Sequence, residues 1–292
     1  MLVSTEWLAA HLDDPDLVVV DLRWGSDGSG RARYDAGHIP GAVFLDWTTD
    51  IVDPQSPIAF MLAGPERFAS AMEGCGIGDD TNVIAYADDH GSGAYRVWWA
   101  CRVYGHENVR VLDGALEKWK AEGRPLSAAA PSPRPVARWT PRPVPGLRAR
   151  AEDVVAAASD PAVIVLDSRP ADQYRGEAVW FETGPIPAGP DGIARTPRGH
   201  LRAGHVPWAS SVPAAVLYRP DFTMKGPGEL RELFAAAGLT DESRAITYCG
   251  VGISASALLF ALTVAGVEDA ALYDASWEEW GRDPSRPVAR DG

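Results

Sequence analysis

Ala245-Ile-Thr-Tyr-Cys-Gly-Val-Gly-Ile-Ser-Ala255 decides the architecture of this chain. The stretch opens as an apolar, β-rich run, stops at a thiol and a glycine-punctuated loop, and continues into an apolar helical pattern that ends at Gly266. Gly250 and Gly252 lack a Cβ and are free to take positive φ, so successive N–H groups can turn inward and form a concavity for an anion. The helix start adds unpaired N–H groups and about half a positive charge, which lowers the pKa of a nearby cysteine. Cys249 is therefore read as a nucleophile, with the N–H groups of Gly250, Val251, Gly252, Ile253 and Ser254 as its cradle. The Ser254 hydroxyl is either a further donor to the thiolate or the N-cap of the helix. No metal and no cofactor is required by this arrangement.

The other cysteines act as internal controls. Cys75 is also followed by Gly-x-Gly, but it closes the helical run 65–74 and precedes Asp79-Asp80, which reads as a helix C-terminus with turn glycines. Cys101 lies in the apolar helix around 95–104 and reads as core. Three cysteines with no Cys-x-x-Cys pair argue against a disulfide framework or a zinc site.

Working outward, the same order of short motifs occurs twice. Leu17-Val-Val-Val-Asp-Leu-Arg23, Ala36-Gly-His-Ile-Pro-Gly-Ala42, Asn82-Val-Ile-Ala-Tyr-Ala87, Val109-Arg-Val-Leu-Asp-Gly114 and Trp119 follow one another in the first half. Val163-Ile-Val-Leu-Asp-Ser-Arg169, Ala203-Gly-His-Val-Pro-Trp-Ala209, Arg244-Ala-Ile-Thr-Tyr-Cys249, Ala270-Ala-Leu-Tyr-Asp274 and Trp277 answer in the second. Helical patterns at 4–12, 65–74 and 94–105, then 151–159, 227–238 and 254–266, separate these β-branched runs. Strands alternating with helices predict two α/β domains, each a mostly parallel sheet flanked by helices on both faces. A proline-rich connector at 127–147, expected to be extended and semi-rigid, divides a domain at 1–126 from one at 148–292.

Alignment of the halves puts Ala87, or Asp88 one step later, where the second half has Cys249, so the first domain lacks the thiol. Its loop 88–93 is longer and acidic, which suits no anion. Asp21 with Arg23, and Asp167 with Arg169, recur in both halves and are read as ion pairs that hold the fold; His38 and His205 recur likewise. Most tryptophans are read as core, whereas Trp180 and Trp208 are candidates to wall a cleft.

The chain has 292 residues, 46% of them apolar, enough for two ordinary domains. With 27 basic against 40 acidic side chains the net charge is −13, which opposes nucleic acid and anionic membrane surfaces as partners. The N-terminal stretch lacks a basic, then apolar, leader pattern, and no run approaches the ~18 apolar residues of a membrane span. A cytoplasmic protein is expected.

These residues resemble the tandem-domain rhodaneses, the family of thiosulfate and 3-mercaptopyruvate sulfurtransferases. Tyr34-Asp-Ala-Gly-His-Ile-Pro-Gly-Ala-Val-Phe-Leu45 is similar to the family's first-domain signature, and Tyr273-Asp-Ala-Ser-Trp-Glu-Glu-Trp280 to its C-terminal one, with Ala275 in place of the usual glycine. The resemblance implies two rhodanese-like domains, the first without the catalytic cysteine. It also implies a sulfane sulfur taken from a small anionic donor, thiosulfate or 3-mercaptopyruvate, carried as a Cys249 persulfide and passed to cyanide or a thiol. The family's thiosulfate enzymes carry cations in the loop and its mercaptopyruvate enzymes read Cys-Gly-Ser-Gly, whereas here the third place is Val251. The position of the family's substrate-binding arginine corresponds to Gln173.

An anionic donor needs positive charge, and 37 residues separate Asp167 from Gly204 against 16 between Asp21 and Gly37. This Gly- and Pro-rich insertion carries Arg175, Arg195, Arg198, His200 and Arg202, and predicts a substrate loop with Arg175 as the leading candidate. Two alternatives stand beside the enzyme: a persulfide carrier or regulatory binding module without turnover, and a cysteine-dependent phosphatase. The phosphatase is disfavoured because position 255 is Ala where phosphate chemistry wants an arginine.

Overall fold

The computed structural model describes residues 1–88, 92–132, 137–181 and 184–291. In the first half, strands β1 (Leu2–Val3), β2 (Leu17–Asp21), β3 (Val43–Phe44), β4 (Asn82–Tyr86) and β5 (Val109–Leu112) form one sheet of order β1-β5-β4-β2-β3, parallel throughout. The run Leu-Val-Val-Val-Asp of β2 is buried at every position, as a central strand covered on both faces requires. Among the helices that cover it are Thr5–His11, whose N-cap Ser4 accepts the Trp7 N–H at 3.0 Å, and Pro65–Gly74, with proline in its first turn.

The second half contributes β6 (Arg148–Ala149), β7 (Val163–Asp167), β8 (Ala178–Phe181), β9 (Gly184–Pro187), β10 (Ile193–Thr196), β11 (Gly199–Arg202), β12 (Ala209–Ser211), β13 (Arg244–Tyr248) and β14 (Ala270–Tyr273). Its main sheet runs β6-β14-β13-β7-β12, again parallel, repeating the first sheet strand for strand. The ladders pair Asp21 with Tyr86 and Asp167 with Tyr248. Ala87 is thereby the counterpart of Cys249, a choice the motifs alone left open. Of the acidic loop that follows it, residues 89–91 lie outside the described residues.

The recurring polar motifs are structural devices of each sheet. Arg23 lies 4% exposed, with its Nε and Nη2 spanning the Asp21 carboxylate at 2.7–3.1 Å and Nη2 also donating to the Gly37 carbonyl. Arg169 repeats this on Asp167 and on Gly204, at 2.7 Å for the carbonyl. His38 stacks on Tyr34 at 4.0 Å and His205 on Tyr174 at 3.7 Å, each bonded through Nδ1 to that tyrosine's carbonyl. Buried charges survive where hydrogen bonds replace their hydration, and here they clamp the Gly-His-x-Pro turn to the strand end.

By contact the chain divides into two compact units: Met1–Gln55 with Leu62–Pro145 and Tyr218–Met224, and Ser56–Met61 with Gly146–Leu217 and Lys225–Gly292. The described connector residues up to Pro145 belong to the first unit. Trp139 is 4% exposed, edge-on to Phe68 at 5.6 Å, and its backbone N–H donates to the Glu73 carboxylate at 3.0 Å. A proline-rich strap cannot pair as a strand, so buried side chains and borrowed acceptors anchor it instead.

The 167–204 insertion differs from the expected loop. It starts with a short helix, Ala171–Arg175, and continues as two antiparallel hairpins, β8 with β9 and β10 with β11. Val179, Ala194 and Leu201 are buried in the core of the second unit. Glycine and proline mark the turns and edges of these hairpins, a pattern that composition does not separate from coil.

Candidate active site

β13 is flanked by β7 and β14, and Cys249 follows its last residue at the C-terminal end of the sheet. The polypeptide then turns through Gly250 to Ile253, with Gly252 at φ +78°, and enters the helix Ser254–Ala265. That helix is apolar on nearly all sides because it is buried between the sheet and its neighbours. Its N-cap is Ile253, whose side chain cannot cap, which settles one alternative: Ser254 is the first helical residue and not the cap. The Ser254 hydroxyl lies 3.0 Å from that of Ser168, which in turn donates to the Tyr248 carbonyl at 3.2 Å.

The loop's polarity is sorted by a second element. The carbonyls of Cys249 and Gly250 accept the N–H groups of Trp277 and Glu278, both at 2.9 Å, from the helix Ser276–Trp280. The Cys249 N–H donates to the Ser276 hydroxyl at 3.1 Å, and that hydroxyl donates to the Tyr273 carbonyl at 2.8 Å. With the loop carbonyls drawn to that helix, the N–H groups of Gly250, Val251, Ile253 and Ser254 have no carbonyl partner among the described residues. Unpaired donors at a helix start form a cradle for negative charge beside the thiol.

Both first-unit thiols are pushed up by burial, Cys75 to about 12 and Cys101 further, so each stays protonated at neutral pH. Cys249 is also buried, at 2% exposure. Val251 is buried as well, and Ile253 and Ser254 are half-buried.

Three of the insertion's candidate substrate cations, Arg175, Arg195 and Arg202, have protein partners of their own. Arg175 is exposed and its guanidinium is spanned by Glu177 at 2.7 and 3.1 Å. Arg195 pairs with Asp191 at 2.7 Å. Arg202 donates to the carbonyls of Trp280, Gly281, Asp283 and Arg286, and staples the segment after the last helix. Gln173 lies 4% exposed with Oε1 buried and without a hydrogen bond. Trp208 donates to the Val154 carbonyl, meets Trp280 edge-on and packs, half-buried, against the core of the second unit; Trp180 reaches the loop.

Ser168 and Ser276 escaped the sequence reading. The signal was present in the duplication, because their counterparts are Leu22 and Ala115, so hydroxyls occur only in the copy that has the thiol. Ser276 and Ala115 share left-handed backbone, φ 51° and 55°. Among the described residues, no group of three or more His, Cys, Asp or Glu is placed to hold a metal, and no helix is long and apolar enough to cross a membrane.

Comparison with known proteins gives a consistent picture. The rhodanese-like domain matches residues 4–122 and again 150–283. A sulfur carrier protein, TtuD, of Thermus thermophilus is 34% identical over 99% of this chain and 96% of its own length. The 3-mercaptopyruvate sulfurtransferase of Escherichia coli K12 is 33% identical over 98% of this chain and 96% of its own. The crystal structure of SseA from Escherichia coli, described as a 3-mercaptopyruvate sulfotransferase with the rhodanese fold, has a TM-score of 0.80 at 31% identity, covering 94% of this chain and 98% of that one.

Proposed function

The chain belongs to the rhodanese-like family, with two tandem copies of the domain, and from that membership we propose a sulfurtransferase whose sulfur is carried by Cys249 of the second copy. The observation that supports this most directly is the thiol at the end of β13 beside four unpartnered loop N–H groups, in a duplicated fold whose other copy has Ala87 there.

The Cys249 thiolate attacks the transferable sulfur of the donor, the outer sulfur of thiosulfate or the thiol sulfur of 3-mercaptopyruvate, forming an S–S bond. With thiosulfate, the donor's S–S bond breaks and sulfite leaves with the electron pair. With 3-mercaptopyruvate, the C–S bond breaks and the pair goes to carbon, which takes up a proton to give pyruvate. An acceptor nucleophile, cyanide or a thiolate, then takes the outer sulfur and returns Cys249 as thiolate. Fixed N–H dipoles stabilise thiolate and persulfide without reorganisation, the effect used by oxyanion holes. Gly250 and Val251 put no cation in the loop, which favours the 3-mercaptopyruvate branch over the thiosulfate one. The net charge of −13 disfavours nucleic acid as a partner, and three unpaired cysteines suit the reducing cytoplasm.

A persulfide carrier is the second reading, favoured by the likeness to a protein named for carrying sulfur. Intact mass after incubation with thiosulfate or 3-mercaptopyruvate, then with cyanide, tests both. The wild type is expected to gain one sulfur and lose it to cyanide, with 3-mercaptopyruvate the faster donor. Cys249→Ser is expected to gain none, whereas Cys75→Ser and Cys101→Ala load normally. Loading without repeated turnover selects the carrier; sulfur retained by Cys249→Ser overturns the mechanism.

A further inference from the structure

Among the described residues the hairpin β8–β9 has no counterpart in the first unit, and it sets an aromatic ring against the loop of Cys249. Alternation along β8 sends neighbouring side chains to opposite faces. Val179, paired with Ile186, is wholly buried in the core of the unit, and Trp180, paired with Pro185, faces the other way. A Cβ placed on Gly250 would lie 3.4 Å from the Trp180 Cβ and 3.9 Å from Cγ and Cδ1 of the indole. Trp180 thus borders the space into which any side chain at the position after Cys249 would project. The hairpin base is closed by the Ala188 N–H on the Glu177 carbonyl at 2.8 Å, so the ring is carried on a fixed element.

The side chains of the loop that the ring borders are apolar. Val251 is buried, Ile253 is half-buried, and Trp180 itself keeps part of its surface open. Arg175, the cation of the insertion nearest to Trp180 in sequence, pairs with Glu177. An indole that retains exposed surface beside a reactive sulfur gains by covering that surface with an apolar or aromatic body, and offers a small hydrated anion nothing.

We propose that Trp180 is a specificity-determining residue of the sulfur-transfer site, selecting as acceptor an uncharged thiol that presents an aromatic or bulky apolar face. This rests on the sulfurtransferase reading. In the transfer, the acceptor's thiolate, its proton lost to solvent, attacks the outer sulfur of the Cys249 persulfide. A new S–S bond forms on the acceptor, the persulfide bond breaks, and Cys249 departs as thiolate with the electron pair.

The test is single-turnover discharge of pre-loaded protein, followed by intact mass, with benzyl mercaptan, 2-mercaptoethanol and cyanide as probes. Wild type is expected to discharge faster to benzyl mercaptan than to 2-mercaptoethanol. Trp180→Ala should slow benzyl mercaptan about tenfold, the scale of a lost aromatic contact, and leave cyanide within about twofold. Trp180→Phe should restore most of the benzyl mercaptan rate, and Trp180→Leu, which fills the space without an aromatic face, should fall between the two. Equal slowing of all three probes in Trp180→Ala, or in Trp180→Leu if the alanine variant does not fold, would make the ring merely structural and overturn the proposal. Wild type that never gains a sulfur removes the sulfurtransferase reading itself, an outcome seen before any acceptor is added.

Discussion

Ser276 carries two burdens at once: a hydroxyl that receives the Cys249 N–H and a backbone at φ 51° that an L-residue adopts at a cost. Two substitutions separate them. Ser276→Ala leaves a buried N–H beside the nucleophile without an acceptor, which costs about 1–3 kcal/mol. It should lower the melting temperature and slow persulfide loading about tenfold, the rate equivalent of a loss in that range. Ser276→Gly removes the same hydroxyl but relieves the left-handed strain by about 1 kcal/mol. Its melting temperature should lie above that of the alanine variant, with the same loading defect. Equal loading by wild type and Ser276→Ala, measured by rapid quench and mass, would separate the hydroxyl from the chemistry. The strand–loop–helix setting of Cys249 was legible in the sequence because strand, glycine and helix signals surround it within a dozen residues. Ser276 and Ser168 were not, because their bonds to Cys249 and Tyr248 span 27 and 80 residues.

Elements are held by a few polar side chains that close distances no helix or strand closes alone. Glu122, just past the helix Ala115–Ala121, accepts from Thr5 of the first helix and pairs with Lys118 and Arg124. The Thr5 hydroxyl, then the two cations, hold its carboxyl down at about 2. A depressed carboxylate contributes stability that is fully present above its unfolded pKa of roughly 4.3 and is lost as pH falls toward the folded value. The stability difference between wild type and Glu122→Gln should therefore be constant above about pH 5 and close toward pH 2, as read by urea unfolding across that range. A difference that does not vary with pH would show that the carboxylate charge is not what joins these helices. At this scale the alternation of strand and helix was readable from hydrophobic period. The two hairpins of the insertion were not, since their glycines and prolines resemble those of an irregular loop until the antiparallel ladders are seen.

For the whole molecule, charge and duplication set the terms. A net charge of −13 repels anions at long range, a dianionic donor more than a singly charged thiolate. Raising ionic strength from ~10 to ~150 mM shortens the screening length to about 8 Å. Loading by the thiosulfate dianion should accelerate over that interval by more than discharge to 2-mercaptoethanol, whose attacking thiolate carries a single charge; a thiosulfate rate that falls instead would reveal a positive local field at the site that outweighs the net charge. Two sheets of identical strand order followed from repeated motifs, because a buried parallel strand needs the same β-branched run wherever it occurs. The sequence by itself therefore determined the α/β class, the duplication and the thiol, all of which rest on local pattern and residue chemistry. Only the tertiary structure decided that Ala87 answers to Cys249, that Arg175 is spent on Glu177, and that Trp180 lies against Gly250. Register, ion pairing and the reach of a hairpin are relations between distant segments, and they take definite form only when packing has fixed the distances.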